Sequence, residues 1–168
     1  MTHAQLTTRD GATAVRLSAQ LPVPAGRLWA QALTPVGLSE WFPFQVEYSP
    51  GVGEQIQFTD DEHSFTGEIT AYSDPEELAF TFGDDNHVTI TLNTDGDGTT
   101  FALVERLSDE NQAARNAAGW HSAVSKLERM YEVDSPELAW KTLYVRYAEE
   151  GFPVGAPAPG LDDETTIV

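Results

Sequence analysis

Between residues 44 and 108 the chain alternates apolar and polar residues in six short runs: "FQVEY", "EQIQFT", "SFTGEITAYS", "ELAFTFGD", "HVTITLNT" and "TTFALVERLS". A period of two is the mark of a strand with one buried face. The segments between them, "SPGVG", "TDDEH", "SDPE", "GDDN" and "DGDG", are rich in turn residues and too short to carry a parallel crossover, so the six runs predict an antiparallel meander. Upstream, Val15, Leu17, Ala19 and Leu21 alternate with Arg16, Ser18 and Gln20. This predicts one more strand, preceded by a polar leader and expected to close one edge of the sheet.

The remaining segments carry a helical period. Leu28, Trp29, Ala32 and Leu33 follow prolines at 22 and 24, and Thr34-Pro35 reads as the cap and first residue of a second short helix through "VGLSEWF". Ala113, Ala117, Trp120, Val124, Leu127 and Tyr131 form one apolar stripe along a longer helix that should face the sheet. Ser135 and Pro136 predict the restart of a helix carrying Trp140, Leu143, Tyr144 and Tyr147, ended by Gly151 and Pro153. The Pro-rich, then acidic tail from 152 reads as a mobile end or a docking strap. Gly119 stands beside Trp120 near the start of the long helix, where glycine costs about 1 kcal/mol relative to alanine. Its presence predicts close approach of another backbone, the short helical pair, or of a ligand.

With 168 residues the chain is sized for one core. Twenty-seven Asp and Glu against nine Lys and Arg give a net charge of -18, which repels phosphate backbones and anionic lipid; neither nucleic acid nor a membrane surface is an expected partner. The absence of cysteine rules out disulfides, thiolate nucleophiles and Cys-ligated metals. The N-terminus has neither the basic region nor the apolar run of a signal peptide, so the expected location is the cytoplasm.

Few residues point to catalysis. His3, His63, His87 and His121 are scattered without paired metal-ligand spacing, no serine sits in a G-x-S-x-G elbow, and "PGVGE" lacks the rest of a phosphate loop. The acidic "DDE" at 60 to 62 and "DGDG" at 95 to 98 read as turns rather than calcium loops. No catalytic residue, metal or cofactor is expected. Glu105 differs: it shares the inward face of its strand with Phe101, Leu103 and Leu107. A carboxyl there must be paired, reach solvent at the strand end, or line a wet pocket, with its pKa raised in the last case. His121 lies about 80° from the centre of the helix stripe at ~100° per residue, either half-exposed or bordering a pocket.

The order of strand, two short helices, six-stranded meander and long helix resembles the helix-grip fold of the START-like (SRPBCC) superfamily. Within it the chain resembles the branch named for homology to the activator of heat-shock protein 90 ATPase. The resemblance rests on "PAGRLWAQALTPVGLSEWF" from Pro24, "FTGEI" from Phe65, "ELAFTF" from Glu77, "TTFALVE" from Thr99 and "AGWHSAVSKLE" from Ala118. It covers about residues 12 to 132. It implies an α+β fold in which a curved antiparallel sheet wraps a long C-terminal helix, with an additional C-terminal helix beyond it. The expected layout is a helix-grip domain over 12-133, the added helix over 134-151 and the tail over 152-168.

The resemblance also implies a cavity between sheet and helix, about 300–1,000 Å³ if it is of ordinary ligand-site size, for a small hydrophobic or amphipathic molecule. Its expected lining is Trp29, Trp41, Phe58, Phe65, Phe80, Phe82, Phe101, Glu105, Trp120, His121 and Val124, with Glu105 and His121 as polar anchors. The same aromatic residues are also what an ordinary core requires. Two alternatives are a cyclase- or hydrolase-like enzyme of the same superfamily and a protein-interaction role. The eukaryotic activators bind the chaperone partly through a separate N-terminal domain outside this resemblance, so chaperone activation is not the expected role. The aromatic helix after Ser135 either folds back on the sheet or forms a homodimer.

Overall fold

The prolines, alternations and turn clusters resolve, in a computed structural model describing residues 2–158, into one eight-stranded antiparallel sheet and the helices it carries. The strands are β1 (Gln5–Arg9), β2 (Ala12–Leu21), β3 (Gln45–Tyr48), β4 (Gln55–Thr59), β5 (Ser64–Ser73), β6 (Glu77–Phe82), β7 (Asn86–Asp95) and β8 (Gly98–Arg106). Their order across the sheet is β1-β2-β8-β7-β6-β5-β4-β3. The chain therefore crosses from β2 to the far edge at β3 and returns strand by strand until β8 closes against β2. The α+β helix-grip architecture is confirmed.

β2 is not an edge strand. The polar leader forms β1, which pairs with β2 from Gln5↔Arg16 to Arg9↔Ala12. All five β1 residues are exposed, so there is no apolar alternation to announce it; only its backbone pairing defines it.

The crossover holds the short helical pair: α1 (Ala25–Leu28), continuing through a π-helical turn over Trp29–Leu33, and α2 (Pro35–Trp41). Thr34 caps α2, its Oγ1 accepting from the Gly37 N–H at 3.2 Å. Pro43 forbids helix at the residue before it, and Phe42 is accordingly extended at φ -67°, ψ 154°. That stop turns Phe42 inward, where it is buried, and leaves Phe44 half-buried beside it.

β5 bends the sheet. Its first half pairs with β4 and its second with β6, with a register shift between Ile69 and Ala71. Gly67 sits at the bend because a Cβ there would collide with the Thr81 carbonyl of β6.

A 3₁₀ turn (Glu110–Gln112) leads into α3 (Ala113–Met130), whose stripe of Ala113, Ala117, Trp120, Val124 and Leu127 is buried against the concave face. Tyr131, expected to continue the stripe, is half-exposed at the helix end, its hydroxyl donating to Gln31 Oε1 at 2.9 Å.

The predicted restart at Ser135 is corrected. Residues 133 to 139 have no regular secondary structure, and α4 spans Trp140–Glu149. Arg129 Nη1 donates to the Ser135 carbonyl at 2.9 Å, holding this segment across the end of α3. Leu143, Tyr144 and Tyr147 are buried, so the aromatic face of α4 is covered by its own chain.

The start of the tail is a strap. Ala114 N–H donates to the Pro153 carbonyl at 3.0 Å and Arg115 Nη1 to the Pro157 carbonyl at 3.1 Å. The acidic part of the tail lies outside the described residues. Among those residues no helix is long and apolar enough to cross a membrane.

Candidate functional site

Glu105 follows the alternation of β8 onto the concave face, flanked by Val15 on β2 and Val88 on β7, and has no exposed surface. Three N–H groups meet it. Trp120 Nε1 and Asn116 Nδ2, one helical turn apart on α3, donate to Oε1 at 2.8 and 2.9 Å, and Asn86 Nδ2 donates to Oε2 at 2.9 Å. Asn86 is itself fixed by Gln112 Oε1 and by the Ser108 N–H, which donates to its Oδ1. Burial pushes the Glu105 carboxyl above the usual carboxylate range, against the opposing pull of these three donors and of the Arg115 charge. The sequence left three options for this carboxyl; the structure selects the paired one.

In front of this cluster lies a hollow of about 560 Å³ whose wall includes Phe44, Phe65, Phe82, Asn116 and Trp120. A second hollow of about 700 Å³ runs along α3, lined by Trp41, Phe42, Pro43, Phe44, Arg115, Gly119, Ser122, Ala123, Lys126 and Trp140. Pro43, Phe44, Arg115 and Gly119 line both, so the two hollows adjoin as neighbouring parts of one groove along α3, each open to the surface. A larger hollow of about 840 Å³ lies between α2 and the β3–β4 edge, but it is lined largely by polar and exposed residues and reaches no buried functional group.

The space directly between sheet and α3 is filled rather than hollow. Phe58, Phe80, Phe101 and Val124 have no exposed surface and Trp29 and Trp41 almost none. Phe42 stacks on Phe58 at 5.7 Å and meets Trp120 at 5.1 Å; Phe58 meets Phe82 at 5.0 Å and Phe65 at 5.1 Å. Such offset and edge-on pairs are the close packing of a core. The open volume is therefore at the flank of α3, where the Pro43 turn holds Phe44 away from the helix.

Of the eleven residues expected at the site, Phe65, Phe82, Glu105 and Trp120 border the inner hollow and Trp41 the outer one. Phe58, Phe80, Phe101 and Val124 form the packed floor behind them. Trp29 packs edge-on against Tyr72 at 5.5 Å, in the same core and away from the groove lining.

His121 is elsewhere. It follows Trp120 by about 100° around α3, which turns it toward α4 and the N-terminal segment. There its Nδ1 meets the Tyr147 hydroxyl at 2.7 Å, and that hydroxyl accepts from the Ala4 N–H at 2.7 Å. Burial, reinforced by His3 and Arg146, pushes its pKa down to about 4. His121 is a neutral structural clamp, not a groove anchor.

Gly119 is also corrected. A Cβ there would meet only Trp140 Nε1, at 4.0 Å. It faces the groove and Trp140, and the short helical pair does not press on it.

The residues missed were Phe42, Phe44, Asn86, Arg115, Asn116 and Trp140. "WFPF" carried a signal for two of them, since a proline after a helix forces its neighbour to be extended. Asn116, one turn before Trp120, was legible as a same-face polar partner. Asn86 and Trp140 reach the site only through long-range packing.

Among the described residues no group of three or more His, Asp or Glu side chains is placed to share a metal ion. The "DDE" segment is a turn in which Asp60 Oδ1 accepts from the N–H groups of Glu62 and His63.

Solved structures share this fold. A conserved protein of unknown function from Enterococcus faecalis is 17% identical, with a TM-score of 0.73 over 88% of this chain and 89% of the other. CalU16 from Micromonospora echinospora is 21% identical, with a TM-score of 0.73 over 89% and 95%. Protein MLL2253 from Mesorhizobium loti is 25% identical, with a TM-score of 0.60 over 70% and 95%. No curated protein matches. The family described as activator of Hsp90 ATPase homolog 1-like protein matches residues 22–132, more than half of the chain and all of the fold from the short helical pair through α3; the chain belongs to that family.

Proposed function

We propose that the chain is a non-catalytic binding module that takes a small hydrophobic or amphipathic molecule into the groove along α3. The observation that carries this reading is the buried Glu105 behind an aromatic wall. Its carboxyl fixes Trp120, Asn116 and Asn86, three side chains that line the inner hollow. A buried carboxyl used only for stability is a poor investment; one that preorganises the wall of an apolar groove supplies orientation. With no exposed surface, Glu105 acts through the groups it holds.

The groove has the size of a ligand site. A ligand burying roughly 200 Å² of apolar surface gains about 5 kcal/mol at ~25 cal/mol per Å² before the costs of association, so apolar burial alone gives a dissociation constant no tighter than about 0.2 mM. Proton-transfer catalysis is less well supported. The partners of Glu105 are amide and indole N–H groups, which do not ionise near neutral pH and so cannot serve as general acid or base.

Titration with a panel of alcohols, fatty acids and fused-ring aromatics, read by tryptophan fluorescence and by the indole N–H resonances of Trp120 and Trp140, tests the reading. At least one compound should shift both resonances, and Glu105→Gln should weaken that binding without abolishing it. If every compound leaves both indoles unmoved, the proposal fails.

A further inference from the structure

The polar side chains along the outer hollow are of one kind. Arg115, Ser122, Lys126 and Trp140 line it, and among the described residues no Asp or Glu does, although the chain carries 27 acidic against nine basic residues. Arg115 spends its donors on neutral oxygens, Nε on Asn116 Oδ1 and Nη1 on the Pro157 carbonyl. Lys126 is exposed, and neither cation is within ion-pair distance of a carboxylate among the described residues. The half-buried Trp140 indole N–H also lacks an acceptor there, standing 4.0 Å from the Cβ position of Gly119. The outer hollow, whose described polar groups are Lys126, Arg115, the Trp140 N–H and the Ser122 hydroxyl, is complementary to a molecule with an apolar body and an acceptor-rich, negatively charged head; the adjoining inner hollow, lined also by Asp84 and Glu105, is not.

We infer that the groove selects a single anionic amphiphile, with its head held at Lys126 and Ser122 and its body laid along Ala123, Gly119 and Phe44 toward the inner hollow. The inference rests on the binding reading above and specifies its ligand class. Lys126 and Ser122 are one turn apart on α3, so an ammonium and a hydroxyl point to one side together. Arg115 lies three turns away, about 16 Å along the axis, and closes the other end of the stripe beside the inner hollow. That length suits a chain of about ten carbons. The head is that of a free molecule rather than a bilayer, because a net charge of -18 repels an extended anionic surface, whereas one carboxylate entering the outer hollow meets Lys126 and Ser122 first, with Glu137 on the other side of those two residues.

The test compares decanoate, decanol and decyltrimethylammonium below their micellar concentrations at pH 7.5 and low salt, followed on the full chain by the Trp140 indole N–H resonance. Decanoate should bind about fivefold or more tighter than decyltrimethylammonium, and added salt should weaken decanoate alone. Lys126→Gln should reduce decanoate affinity about threefold, as an exposed charge pair does, and leave decanol unchanged. If all three probes bind equally, or the cation binds best, the charge inference is overturned while groove binding stands. If none of the three binds while another compound of the panel does, the inference fails and groove binding stands; if nothing in the panel binds either, both fail. If decanoate binds only once residues 159–168, with Asp162, Asp163 and Glu164, have been removed, the inference is wrong for the full chain.

Discussion

Replacing Glu105 by alanine removes one acceptor from three N–H groups at once. Asn86 keeps Gln112 Oε1 as a second acceptor, and half-buried Asn116 lines the open hollow, where its amide meets water. Trp120 Nε1 is the buried donor left with none, which costs about 1–3 kcal/mol. The variant also no longer buries a carboxyl, which offsets part of that loss, while the cavity left by the side chain adds to it. The expected net destabilisation is about 2 kcal/mol, a Tm lowered by about 4–8 °C for a chain of this size.

Glu105→Gln keeps an oxygen for Asn116 and Trp120 but sets its own amide against Asn86 Nδ2, costing about 1 kcal/mol. pH separates the effects. Because the folded-state pKa of Glu105 lies above its ordinary value of 4.5, the folded chain holds that proton more tightly than the unfolded chain. Its contribution is therefore greatest at low pH and declines as pH rises from 4.5 through the folded value, then levels off. Urea denaturation of wild type and Glu105→Gln across pH 5 to 8 should show wild type losing ground relative to the variant as pH rises. An alanine variant as stable as wild type, or a slope of opposite sign, would refute the reasoning; the latter would mean that the three donors and Arg115 outweigh desolvation.

Three further outcomes are expected. Gly119→Ala should stabilise α3 by about 0.5–1 kcal/mol, because the added methyl meets nothing nearer than Trp140 Nε1 at 4.0 Å; a drop in Tm would restore a close-approach role for that glycine. His121, with a pKa pushed down from 6.5 to about 4, should remain neutral at pH 5.5 by NMR titration. Stability that depends on the neutral ring should be lost as pH falls from 6.5 toward 4, and His121→Gln should flatten that part of the profile. Tyr147→Phe removes the acceptor of the Ala4 N–H and the hydrogen-bond partner of His121 Nδ1, costing about 1–3 kcal/mol; hydrogen exchange at Ala4 should accelerate well beyond that at β8 amides, and equal acceleration everywhere would count against a local clamp.

Elements that bury one face against one partner were legible in the sequence. The six runs between 44 and 108 became β3 to β8 in order, and Thr34-Pro35 became the cap and first turn of α2, because alternation and capping are local consequences of side-chain chemistry. Elements defined only by what covers them were not. β1 has no buried face of its own, and residues 133 to 139 form no helix, the Ser135 carbonyl accepting instead from Arg129 of another element.

The site divides the same way. Period two placed Glu105 on the inward face of β8, and helical spacing placed Trp120 on the inward face of α3. The sequence by itself thus determined which residues look at each other across the core. Whether a facing residue becomes core or lining depends on volumes summed over several elements, which no local pattern contains. Phe58, Phe80 and Phe101 filled the space between sheet and helix, while the stop at Pro43 left the flank of α3 open beside Phe44. Only the tertiary structure decided that His121 would meet Tyr147 across 26 positions of sequence instead of the groove, because one step along a helix turns a side chain by about 100° and the packing of α4 gave that direction a partner.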